Sequence, residues 1–192
     1  MLSRHIWPAL AFSDYVAVVL RNARDHQEVA TEARFDWLTG LLTRRHFERD
    51  ALTLLAAICG QRPSTLLLVD VDHFKQVNDQ FGHTAGDSAL REVATICRAA
   101  VRESDLAGRL GGDELAIFLP GSELQRAIAV AQTIRIAVEQ LAVQSWPTLK
   151  LTVSIGLFTS NQSRDLYTEM FNRADDALYR SKNSGRNQVQ FN

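Results

Sequence analysis

The run Leu66-Leu67-Leu68-Val69, opened by Thr65 and closed by Asp70-Val71-Asp72, constrains this chain more than any other feature. No polar residue interrupts it at alternate positions, so a strand built from it is apolar on both faces. Such a strand has to lie in the middle of a sheet with a layer of structure on either side. Asp70 ends the run, which holds its carboxylate rigidly at the end of the sheet.

A second feature adds charge to that end. Arg109-Leu110-Gly111-Gly112-Asp113-Glu114-Leu115 lies between two apolar, strand-like segments, Leu106–Leu110 and Leu115–Leu119. Paired glycines adopt positive φ without steric cost and make a tight hairpin turn. Asp113 and Glu114 follow at its tip. If the second hairpin strand pairs beside the Asp70 strand, three carboxylates meet at one edge and repel unless cations lie among them. Oxygen-only ligation favours Mg²⁺ or Mn²⁺, and two such ions beside a nucleotide stabilise in-line phosphoryl transfer. The plainer alternative for Asp70-Val71-Asp72 is a strand end carrying two solvated acids.

The remaining chain supplies the layers. Residues 1–35 read as a helix with an apolar stripe at Phe12, Val16, Val19, Ala23, His26, Ala30 and Ala33, suited to a coiled coil, a stalk or packing onto the following domain. Asp36-Trp37-Leu38-Thr39-Gly40 is a turn cluster, after which Thr43 caps a helix ending at Cys59 and Gly60. Helices are expected over Phe74–Gln80, Gly86–Val101, Ser122 to about Val143, and Leu166–Lys182, with strands at Leu149–Phe158 and Gln188–Phe191. The order predicts an α+β fold, with helices packed on a mostly antiparallel sheet.

At 192 residues the chain suffices for one domain and an appendage, here 1–35 and 36–192. A net charge of −1 gives no basic field for nucleic acid, so an anionic substrate must be met by local cations and metal. Cys59 and Cys97 lack metal-ligand spacing and read as buried reduced thiols, which fits a cytoplasmic chain. Ile6–Ser13 is far short of the about 20 apolar residues that span a bilayer, and no membrane insertion is expected. Lys182, Gly185 and Arg186 close the last helix, either as a cationic glycine cap or as two cations over a polyphosphate.

These spacings resemble the signature blocks of the GGDEF domain family, the diguanylate cyclases. The blocks are Leu68–Asp79, Phe81–Asp87 and Gly111–Leu115, then Thr152–Gly156, then Ala174–Tyr179 with Lys182 and Gly185-Arg186-Asn187. Asp36–Leu41 resembles the entry motif, so the likeness runs in order from Asp36 to Asn187. It implies a palm-like fold related to class III nucleotidyl cyclases. It further implies condensation of two GTP into cyclic di-GMP by a homodimer whose half-sites face each other.

Carried over residue by residue, Asp70, Asp113 and Glu114 are metal ligands, with the Val71 carbonyl as a backbone ligand. Glu114 alternatively helps deprotonate the attacking 3′-hydroxyl. Lys75, Lys182 and Arg186 hold the triphosphate with backbone N–H groups near His73 and Phe74, and Gly111 and Gly112 border the nucleotide. Asn78 and Asp87 read guanine, whose Watson–Crick edge offers two adjacent donors to one carboxylate. Relatives that accept ATP tend to carry serine at the Asp87 position, which favours GTP here. Arg102 and Asp105, the latter six residues before Gly111, fall where the family places its product-inhibition site, and Arg109 is assigned there too.

Departures from the family pattern are few: Leu115 for Phe, Trp37 and Thr43 in the entry motif, and Ser181 for a frequent Ala with no evident chemical consequence. The competing reading is a non-catalytic module that binds GTP or cyclic di-GMP. Such modules usually lack a metal carboxylate or the glycine pair, and this chain has both.

Overall fold

The apolar run forms the middle of β2 (Ser64–Val71), and all eight of its residues are buried. The computed structural model describes residues 33–58, 62–143, 145–160 and 167–191. Around β2 come β1 (Leu42–Thr43), α1 (Arg44–Ile58), α2 (Phe74–Phe81), α3 (His83–Ala99), β3 (Leu106–Gly111), β4 (Glu114–Leu119) and α4 (Leu124–Glu139). The described chain ends with β5 (Val153–Ser160), α5 (Tyr167–Asn183) and β6 (Val189–Phe191).

The six strands form one sheet in the order β1-β3-β4-β2-β5-β6. The four inner strands pair antiparallel, and the edge strands β1 and β6 join in parallel, so the sheet is mixed. β2 separates two cores by the parity of its side chains. Leu67, Val69 and Val71 pack with α2, α3 and α4, whereas Leu66 and Leu68 pack with α1 and α5. The palm-like α+β layout with helical layers is as the sequence implies. Helix α5 approaches β5 so closely that a Cβ on Gly156 would collide with the backbone of Ala174 and Leu178.

Element ends differ from expectation where burial or a one-residue connection misleads. Gly82 alone, at φ 83°, separates α2 from α3, so α3 starts at His83 rather than Gly86. Ser122 does not cap α4; it is buried, its carbonyl accepts the Thr65 hydroxyl at 3.2 Å, and Glu123 precedes the helix in extended conformation. Leu149 and Leu151 are buried but lie ahead of β5, so burial outside the sheet produced the alternation read as strand. Helix α1 starts directly after Thr43, while Cys59, Gly60 and the 1–35 helix up to residue 32 lie outside the described residues. Leu115, which stands where the family has Phe, is a packing position at 1% exposure.

Candidate active site

The strand register brings the acids together. Asp70 pairs across from Glu114, and the Val71 N–H donates to the Asp113 carbonyl at 3.4 Å. Asp70 shares strand parity with Leu66 and Leu68, and Glu114 with Ala116 and Phe118, the side covered by α1 and α5. Helix α5 delivers Lys182, whose Nζ lies 2.8 Å from Asp70 Oδ2. Burial pushes the Asp70 carboxyl above its ordinary range; Lys182 opposes this, and Asp113 and Glu114 add to it. An anionic oxygen set that is costly to ionise without a countercharge suits a hard divalent cation. Among the described residues no group of three or more carboxylate, histidine or cysteine side chains stands close enough together to hold a metal ion by itself.

Arg109 supports the hairpin turn. Its Nε and Nη2 donate to the Gly112 carbonyl at 3.0 and 2.8 Å, and its Nη1 donates to both Asp36 oxygens at 3.1 and 3.2 Å. Asp36 also accepts the Thr39 N–H at 2.9 Å and the Thr39 hydroxyl at 2.7 Å. Burial alone would raise the Asp36 carboxyl, but Thr39 and Arg109 together hold it below its ordinary range. The entry motif is thereby tied to the turn, with Gly111 at φ 153° and Gly112 at φ 54°. The side chain of Arg109 is committed to this tie rather than to Arg102 and Asp105.

The start of α2 follows a left-handed residue and has no side-chain cap. His73 is left-handed, at φ 56°, and its carbonyl accepts the N–H groups of Gln76 and Val77 at 2.8 and 3.2 Å. No side chain caps this helix start, which leaves its first N–H groups without a side-chain acceptor, and Lys75 in its first turn is exposed. Asn78, one turn on, rests against Gly86, where any Cβ would overlap its Oδ1. The corner between α2 and α3 therefore brings Asn78 alongside the Gly86–Asp87 step.

The loop after α5 carries Arg186. The Arg186 N–H reaches back to the Ser181 carbonyl at 3.1 Å, the six-to-one bond of a helix terminus. Asp72 is not a solvated acid: it is buried and accepts the Thr152 and Ser154 hydroxyls at 2.7 Å each and the Asn187 N–H at 3.0 Å. It fastens this loop to the sheet. Ser181 has a consequence that its identity alone did not reveal; fully buried, its hydroxyl donates to the Gln188 carbonyl at 2.8 Å.

Arg102 and Asp105 close a turn before β3. Asp105 Oδ2 accepts the Arg102 N–H at 2.9 Å and pairs with Arg126 Nη2 at 2.5 Å. Its Oδ1 is enclosed and has no hydrogen-bond partner among the described residues. The Arg102 side chain is exposed.

A family model described as diguanylate cyclase, GGDEF domain, matches residues 33–188. The chain belongs to the GGDEF domain family. Diguanylate cyclase DgcM of Escherichia coli is 36% identical over 175 residues, covering 89% of this chain and 41% of that protein. Response regulator PleD of Caulobacter vibrioides is 38% identical over 184 residues, covering 93% of this chain and 39% of its own. The chain thus spans about two fifths of the length of these curated relatives. The crystal structure of the GGDEF domain of DgcB from Caulobacter crescentus, in complex with c-di-GMP, superposes with a TM-score of 0.78 at 32% identity, covering 83% of this chain and 96% of that one.

Within this GGDEF domain the acids, Lys182, the α2 start and the Arg186 loop are carried by the same sheet end or by the helices and loop beside it. Asp72, Arg126 and Ser181 gained their places only from the structure. The available signals were a second acid two positions past Asp70, and a serine in an otherwise apolar helix face. No described helix is long and apolar enough to cross a membrane.

Proposed function

We propose that this domain condenses two GTP into cyclic di-GMP with release of two pyrophosphates. The observation that carries the reading is the Asp70–Glu114 register with Lys182 at 2.8 Å from Asp70, an anionic pair set beside a cation that a triphosphate can claim. Two Mg²⁺ or Mn²⁺ ions per site, held by Asp70, Asp113, Glu114 and the Val71 carbonyl, would supply charge neutralisation at the reacting phosphate. Lys75, Lys182 and Arg186 bind the triphosphate together with the His73–Phe74 N–H groups. Gly111 and Gly112 let that triphosphate approach the turn without a side chain in the way. Glu114, exposed at the tip, ligates a metal or accepts the proton of an attacking 3′-hydroxyl.

Asn78 and Asp87 read guanine. A mismatched base would leave the Asp87 carboxylate unpaired, a loss of about 1–3 kcal/mol. One chain offers one nucleotide site, so synthesis requires a homodimer with its turns facing, as the exposed glycines permit. Cyclic di-GMP, which DgcB binds in its crystal structure, acts back at Arg102 and Asp105 as an inhibitor. For that, Asp105 has to exchange Arg126 for the product. A cytoplasmic location, where GTP is available, fits the fully buried thiol of Cys97, pushed up to about 12 by burial.

Two measurements test this. Asp113→Ala is expected to remove cyclic di-GMP formation by at least about a hundredfold with an unchanged melting temperature. Residual synthesis near wild type would take Asp113 out of the site. Titrating cyclic di-GMP should inhibit the wild type, with Arg102→Ala about tenfold less sensitive; equal sensitivity would remove the inhibitory role of Arg102.

A further inference from the structure

The loop that carries Arg186 is held from a second side. Gly185, Arg186 and Asn187 are consecutive residues at φ 108°, 63° and 46°. An arginine gains nothing intrinsically from the left-handed region, so its surroundings must fix it there. Those surroundings are specific. The Asn187 N–H donates to Asp72 on one side. On the other, its side-chain amide engages the last turns of α4: Nδ2 donates to Glu139 Oε1 at 2.7 Å, and Oδ1 accepts Arg135 Nη1 at 3.1 Å. Arg135 Nη1 also donates to Glu139 Oε2 at 3.0 Å, which closes a ring of three side chains. Arg135 is itself oriented by Gln132, whose Oε1 accepts its Nε at 3.0 Å. Both hydrogen-bonding ends of one amide are spent on gripping the last turns of α4.

We propose that Asn187, gripped by Arg135 and Glu139, is a positioning residue that aims the Arg186 guanidinium at the triphosphate. The inference rests on the reading of Arg186 as a phosphate-binding cation. Fixing the backbone at residue 187 fixes the direction in which the preceding side chain leaves the loop. Released from α4, the loop samples other backbone angles, and Arg186 must be ordered again each time a nucleotide binds. The cost then falls on nucleotide affinity more than on the chemical step.

The test is a double-mutant cycle read by calorimetric binding of a non-hydrolysable GTP analogue, with KM and kcat for GTP measured alongside. Asn187→Gly keeps positive φ accessible and removes the side-chain grip. It is expected to weaken binding about tenfold, the size of one charge-assisted hydrogen bond, and to raise KM while kcat changes less. In an Arg186→Ala background the same substitution should cost nothing further. Glu139→Gln, which keeps an acceptor for the amide, should stay near wild type. If Asn187→Gly does not fold, Glu139→Ala on the exposed side of the ring serves as the releasing variant, with the same expectations. Equal losses in both backgrounds would overturn the inference, because Asn187 would then act elsewhere. So would a silent Asn187→Gly beside a damaging Arg186→Ala, which leaves the phosphate reading of Arg186 standing. A silent Arg186→Ala removes that reading and the inference together.

Discussion

Asp70 and Asp72 stand two positions apart at one strand end and do different work. Asp70 meets Lys182 and two other acids, and burial makes its ionisation costly. Asp72 receives three hydrogen bonds and staples the Arg186 loop to the sheet. Residue type could not separate them, because only their partners from β5 and the final loop distinguish the two roles. The same holds for Arg109: its place beside the glycine pair was legible, but its bond to Asp36, far back in the chain, was not. That tie makes a prediction about pH. The folded-state pKa of Asp36 lies below its ordinary 3.8, so its contribution to stability is fully present above that pH and is lost as pH falls through the lower folded value. Asp36→Asn should therefore lower stability at neutral pH by about 2 kcal/mol, and the gap to wild type should close in strong acid. A gap that is constant in melts from pH 7 to pH 2 would contradict the ion pair's role.

At the scale of elements, the sequence announced β2 and the hairpin clearly. An unbroken apolar run and a glycine pair between strands have few other physical meanings. Connections were harder to read. A single glycine turning α2 into α3 looks like a longer break, and buried leucines ahead of β5 mimic a strand. The seat of α5 on β5 sets where Lys182 emerges beside Asp70. Gly156 allows that close approach, and the atoms a Cβ would meet are backbone, which cannot swing aside. Gly156→Ala is expected to cost about 2 kcal/mol or more by overpacking and to weaken nucleotide binding as α5 is lifted. Thermal melts beside analogue binding check this; an unchanged melting temperature would mean that α5 sits less tightly than described.

For the whole molecule, the order of the motifs along the chain was enough to reach the family, since each block supplies one part of a single sheet end. What it could not supply is the second site. On the proposed function, phosphoryl transfer between two GTP would bring two copies of the 111–114 turn to face each other, each with its own acids and cations. The proposed function has this domain make cyclic di-GMP as a pair. Product formation from GTP and Mg²⁺, measured across a wide range of protein concentration, tests it most directly. Cyclic di-GMP is expected at a rate per molecule that rises with concentration before levelling off as dimers saturate. Absence of product at every concentration would contradict it, as would a rate per molecule that stays constant down to concentrations where the protein is monomeric.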